Sequence, residues 1–188
     1  MNQQATIPDV VRNGVNVTAL GATIDAVSQE PTLAEFRFST KNHWISGGHN
    51  RSRIQQFYGC GQMDSTREEP FELDADEPPV LLGNDAGPNP VEFILHGLAG
   101  CMTTSMVYHA AARGIEIGAV ESQFEGDLDL HGFLGMDDNV RKGYQQIRVT
   151  MRVQTEASIE QLRECVSFSP VFEMVSQSVP IELRIETH

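Results

Sequence analysis

The chain has 188 residues, a length suited to one domain, with 40% apolar residues, a composition that argues against a disordered or fibrous chain. Its 26 acidic against 13 basic residues leave a formal charge of −13, a surface that repels nucleic acid and anionic membranes alike. The opening residues MNQQATIPDVV carry neither the basic run nor the apolar core of a secretory signal, so the expected compartment is the cytoplasm.

Val17, Leu20, Ile24 and Val27 recur at helical spacing within residues 16–30, which predicts an amphipathic helix ending before Pro31. A strand is expected from Leu33 to Thr40, where Phe36 and Phe38 alternate with Arg37 and Ser39. Trp44 with Gly47-Gly48 marks a turn, and residues 51–59 and 69–75 read as further strands, so the N-terminal half is a meander.

The strongest local signal is a helix start: Asn89 as N-cap, Pro90 in the first turn and Glu92 three residues after the cap. That helix is expected to run to about Arg113, where Gly114 stops it. Its apolar stretch from Phe93 to Ala112 holds two histidines, several hydroxyls and glycines, which fits a buried helix and not a membrane span. Strands are predicted over 116–130 and 144–155; in the second, Ile147, Val149, Met151 and Val153 alternate with polar residues, as in a half-buried antiparallel sheet. Ser158 caps a helix, Ser169-Pro170 starts another, and residues 180–185 form a last strand. Residues 1–188 are thus read as one α+β domain: helix and meander over 16–83, a central helix over 89–113, and strands and helices over 116–186.

Mid-helix glycine costs about 1 kcal/mol relative to alanine, so Gly97 and Gly100 predict the close approach of another helix, plausible for a symmetry mate. The three cysteines, Cys60, Cys101 and Cys165, form no Cys-x-x-Cys pair and no disulfide framework. His43, His49 and Cys60 match no recurrent zinc spacing, so no metal is expected, and nothing calls for a cofactor. The acidic runs EEPFELDADE and GMDDN read as solvated loops, and His96 and His109 as packing residues.

The stretches GPNPVEFILHGLAGCMTTSMVYHAAARGIEI, GYQQIRVTMRV and SPVFEMVSQSVPIEL resemble the OsmC/Ohr family of osmotically inducible and organic-hydroperoxide-resistance proteins over about residues 84–186. The resemblance implies an OsmC-like fold, antiparallel sheets around a long central helix, in an intertwined homodimer. It also implies thiol-dependent reduction of organic hydroperoxides by a buried cysteine at the position of Cys101. The family's peroxidases carry a resolving cysteine directly before Pro-Val, where this chain has Ser169-Pro170-Val171. Their glutamate follows the Asn-Pro pair directly, where Val91 stands and Glu92 comes one residue later. Nine residues separate Glu92 from Cys101, which puts them on opposite helix faces, about 13 to 14 Å apart along the axis. Capping is therefore the competing role for Glu92. An arginine of the N-terminal strands activates the thiol in the family; Arg53, with Arg51 and Arg67, is the candidate, against the alternative of a surface role.

The candidate site is therefore Cys101 with Glu92 and Arg53, in an apolar pocket on the Met102 and Met106 side of the helix. Its expected partners are a second copy of the chain, an organic hydroperoxide and, without a resolving cysteine at 169, an external thiol reductant. The alternative is a protein of the same fold that binds a hydrophobic small molecule and has no peroxidase activity.

Overall fold

Asn13 and Gly14 both adopt positive φ, 51° and 77°, the backbone that a two-residue hairpin with right-twisted strands requires. They join β1 (Val11–Arg12) to β2 (Val15–Asn16), a hairpin that the sequence reading overlooked although the Asn-Gly pair announces it. The computed structural model describes residues 9–188; the opening of the N-terminal run read for a targeting signal lies outside the described residues. Asn16 then caps α1 (Val17–Gln29), its Oδ1 accepting from the Ala19 amide at 2.9 Å. After α1 the chain continues as β3 (Lys41–Ser46), β4 (His49–Ile54), β5 (Phe57–Gly59), β6 (Gln62–Asp64), β7 (Phe71–Ala75) and α2 (Pro90–Ala112). Next come β8 (Ala119–Asp127), α3 (Leu130–Phe133), β9 (Gln146–Gln154), α4 (Ile159–Ser167), α5 (Pro170–Ser176) and β10 (Ile181–Thr187).

This is an α+β chain that forms two compact units, residues up to Leu20 with Leu95–His188, and Gly21–Ile94. In the first unit β9 lies between β8 and β10. It is antiparallel to β8, as expected, but parallel to β10, because α4 and α5 carry the chain back to the starting end before the last strand. Ile147, Val149, Met151 and Val153 are all at most 1% exposed, so the alternation read from the sequence faces the core. Leu98, Met102, Met106 and Ala110 of α2 repeat every four residues and are fully buried, as are Leu162, Cys165 and Val166 of α4. Ser158 closes a capping box with Gln161 at the start of α4.

The second unit holds the antiparallel sheet β3-β4-β7 and the hairpin β5-β6. The strand expected over 33–40 does not form. Pro31 fixes a backbone angle suited to a tight turn, Pro31–Ala34 becomes 3₁₀ helix, and only Arg37 makes a bridge, to Tyr58. Phe36 and Phe38 instead stack with Phe57 at centroid distances of 5.4 to 6.3 Å. Trp44 belongs to β3, and the turn beyond it is at Gly47, whose carbonyl accepts from Trp44 Nε1 at 3.0 Å.

The loop between β7 and α2 is organised by Asp76, which is 1% exposed. Its carboxylate accepts from the backbone amides of Glu77 at 2.8 Å, Asn84 at 3.0 Å and Ala86 at 3.2 Å. This corrects the reading of EEPFELDADE as a wholly solvated loop. Burial by itself raises the Asp76 pKa, but the three amides together outweigh it and hold the carboxyl below its ordinary value. The turn is tight enough that a Cβ on Gly83 would lie 1.7 Å from the Glu77 carbonyl oxygen. It delivers the chain to Asn89, whose Oδ1 accepts from the Val91 amide while Glu92 Oε2 accepts from the Asn89 amide at 2.8 Å. The predicted capping of α2 is therefore present, and Gly114, with φ of 77°, follows its end. Asp76→Asn replaces an oxygen that receives amides with an NH₂ that repels one. It is expected to lower Tm by more than about 5 °C in a thermal melt followed by circular dichroism; an unchanged Tm would show that the carboxylate does not hold the loop.

Candidate functional site

The exposure pattern of α2 defines where its thiol stands. Leu98, Met102 and Met106 form the buried stripe, while His96, Gly100, Thr104 and Tyr108 form an exposed one. Cys101 is half-buried at the border between them, next to Met102 in the chain. The side of α2 expected to line a pocket differs: Met102 and Met106 turn into the packed core with no exposed surface.

The other two cysteines have different surroundings. Cys165 is fully buried on α4, and burial pushes its thiol pKa up, away from the thiolate that reacts with electrophiles. Cys60 is exposed in the two-residue turn between β5 and β6, where it adopts φ of 50° beside Gly61. Ser169 is fully buried and caps α5, its Oγ accepting from the Phe172 amide at 3.2 Å. The Ser169 hydroxyl thus performs a structural task.

The two partners proposed for Cys101 from the sequence are each engaged locally. Glu92 closes the capping box of α2. Arg53 lies on β4, with its Nε 3.0 Å from Glu72 Oε1 on the neighbouring strand. Beside it, Arg51 makes a two-pronged pair with Asp74, through Nε to Oδ1 at 2.8 Å and Nη2 to Oδ2 at 2.9 Å. His49 Nε2 approaches the same Oδ1 at 2.9 Å. Asp74 is held down to about 2, first by the Arg51 hydrogen bond and then by that of His49. Arg67 packs over the rings of Phe57 and Phe71 at 5.2 and 5.4 Å. No group of three or more His, Cys, Asp or Glu side chains among the described residues is arranged to hold a metal ion.

Sequence reasoning did not foresee the cluster at the end of α2. The His109 ring stacks on Phe168 at 4.1 Å, and Arg113 Nη1 lies 3.0 Å from His109 Nδ1 while Nη2 reaches Glu164 Oε1 at 3.2 Å. Burial lowers the His109 pKa, and the Arg113 charge lowers it further, so Nδ1 stays an acceptor at neutral pH. Arg12 also donates to the Ala111 carbonyl at 3.2 Å, and Asn13 bonds both Ile115 and Ile117, so the β1-β2 hairpin fastens the C-terminal end of α2. The signal for this was the Asn-Gly turn, read with the basic residue before it. No helix among the described residues is long and apolar enough to cross a membrane.

Comparison with known proteins places this arrangement in a family. The family model described as OsmC-like protein matches residues 83–184, which include α2 with Cys101, β8 to β9, α4, Ser169 and α5. Among solved structures, an OsmC-like protein from Mycoplasma pneumoniae matches with a TM-score of 0.59 at 14% identity, over 80% of this chain and 96% of its own. An organic hydroperoxide resistance protein OsmC from Legionella pneumophila matches with a TM-score of 0.53 at 16% identity, over 79% and 97% of the two chains. An organic hydroperoxide resistance protein from Elizabethkingia anophelis matches with a TM-score of 0.55 at 13% identity, over 81% and 98%. At these identities the structural likeness speaks for the fold. Comparison with curated proteins gives no match. With more than half of its residues matched by the family model and an α+β architecture shared with OsmC structures, the chain belongs to the OsmC-like protein family.

Proposed function

We propose that this chain is a thiol peroxidase that reduces organic hydroperoxides through Cys101 and relies on an external thiol for its return to the reduced state. The observation that carries the reading is the distribution of thiols over the family-matched segment, residues 83–184: Cys101 is partly exposed on α2, whereas Cys165 is fully buried with a raised pKa. In the first step the Cys101 thiolate attacks the peroxide oxygen distal to the carbon. The O–O bond breaks, the alkoxide takes a proton from water and leaves as the alcohol, and the sulfur, oxidised by two electrons, becomes a sulfenic acid. An external thiol then displaces water to form a mixed disulfide, and a second one releases Cys101 and leaves as the disulfide. Ser169 takes no part in the exchange, because a hydroxyl does not condense with a sulfenic acid under these conditions. Glu92 serves the reaction by fixing the start of the helix that carries the thiol.

The same reading includes a homodimer built on the exposed stripe of α2. Ile94 and Tyr108 are each 48% exposed there, and a Cβ built on Gly97 or Gly100 meets nothing within 4 Å. No other helix among the described residues meets these two glycines, and contact with a second copy would account for them. Leucine at Gly100 has room within its own chain, so its effect reports on contact between copies. Gly100→Leu is expected to convert a dimer into a monomer in sedimentation velocity; an unaltered dimer, or a monomeric wild type, would refute this interface.

The enzymatic reading is tested by consumption of cumene hydroperoxide and tert-butyl hydroperoxide with dithiothreitol as reductant. Turnover is expected in the wild type and a loss of at least about 100-fold in Cys101→Ser, consistent with removal of the nucleophile. Equal rates in the two proteins, or none in either, would sink the peroxidase reading and leave the family fold as a binding protein for a hydrophobic small molecule.

A further inference from the structure

The sheet β3-β4-β7 places Lys41 directly opposite Arg53 in the antiparallel register, and Arg53 directly opposite Glu72. Cross-strand partners project from the same face, so two cations and one anion stand in a row across three strands. Like charges in directly opposed positions destabilise a sheet, and Glu72 relieves only the far side of Arg53. Lys41 has no acidic partner among the described residues, although the chain carries twice as many acidic as basic side chains, and it is one of only two lysines. The unbalanced pair borders an open groove of about 330 Å³ within the second unit. Lys41 and Arg53 are the only charged residues of its lining. Ser39 and Gln56 add neutral hydrogen-bonding groups, and Met63 and Pro70 form an apolar wall. Gln55, also in the lining, is already committed, its Nε2 donating to the carbonyls of Arg67 at 3.2 Å and Glu68 at 3.0 Å.

We propose that this groove is a binding site for a small organic carboxylate with a short apolar tail. The negative charge of such a ligand supplies the counter-ion that the Lys41–Arg53 pair lacks. Arg53 meets Glu72 through Nε, so the terminal nitrogens of its guanidinium remain to donate to a carboxylate, with the Lys41 ammonium as the second anchor. Its existing partner is a weak competitor, because the side chains of Arg53 and Glu72 are 55% and 44% exposed and their pairing is screened by solvent. The tail is accommodated along Met63 and Pro70, which distinguishes a carboxylate of this kind from a bare inorganic anion. The site uses neither Cys101 nor any neighbour of it on α2, so it stands independently of the peroxidase reading.

The test is a titration of the full-length, isotopically labelled protein with sodium butanoate, followed by amide chemical shifts at ionic strength held constant with sodium chloride. Saturable shifts confined to β3, β4 and the Gln55–Pro70 region are expected, with a Kd on the order of 1 mM. Lys41→Met should weaken binding by about tenfold, while Glu72→Gln, which frees Arg53, should strengthen it severalfold. These opposite signs separate recognition from loss of fold. Cys101→Ser should bind as the wild type does. Absence of saturation, an unchanged Kd in both groove variants, or inorganic phosphate binding at least as tightly as butanoate would overturn the assignment.

Discussion

A buried carboxylate must find hydrogen-bond donors or lose its charge, and that requirement at Asp76 governs how α2 begins. Three backbone amides satisfy it, those of Glu77, Asn84 and Ala86. Because they come from both ends of one turn, the carboxylate closes residues 76–86 into a loop of fixed shape. The fit leaves no space for side chains at two points: a Cβ on Gly83 would strike the Glu77 carbonyl, and one on Gly87 would lie 2.2 Å from the Asp74 carbonyl oxygen. Glu77 also bonds the Asn89 side chain, so the residue after the anchor touches the residue that caps α2. The start of the helix bearing Cys101 is thereby set by contacts within residues 76–92. Its far end is held by Arg12 and Asn13 of the N-terminal hairpin and by the Arg113–Glu164 and His109–Phe168 contacts.

With both ends of α2 fixed, the orientation of its thiol follows from helical spacing. The buried stripe Leu98–Met102–Met106 sets the rotation, and Cys101 falls at its margin, neither sealed in the core nor projecting freely. Cys165, on α4 in the same unit, has the opposite character because every part of it is enclosed. Ser169 has a structural duty. It stands before Pro170 as the N-cap of α5, where a hydroxyl is among the best acceptors for the third amide of the helix.

What could be read from the sequence was local or periodic. The Asn89-Pro90-Glu92 start, the Ser158 cap and the alternation through β9 each depend on residues a few positions apart, and each appears where expected. The Leu33–Thr40 strand failed because alternation of two phenylalanines does not supply a pairing partner; they stack on Phe57 and leave one bridge at Arg37. The parallel pairing of β9 with β10 depends on the path of two intervening helices, which no window of residues records. Asp76 looked like one more acidic residue in an acidic run, since only folding shows which carboxylate meets the amides of residues 84 and 86. Cys101 was legible through its family resemblance, not its composition, and the engagement of Arg53 by Glu72 is a product of strand register.

The central claim is that Cys101 is oxidised by a peroxide and has no resolving partner within the chain. The most direct measurement treats the reduced protein with one equivalent of cumene hydroperoxide, quenches with dimedone, and maps the modified and disulfide-linked peptides by mass spectrometry. The account predicts a dimedone adduct on Cys101, with Cys165 unmodified and no intramolecular disulfide. An unmodified Cys101, or a rapid and stoichiometric disulfide joining it to Cys165 or Cys60, would contradict the account.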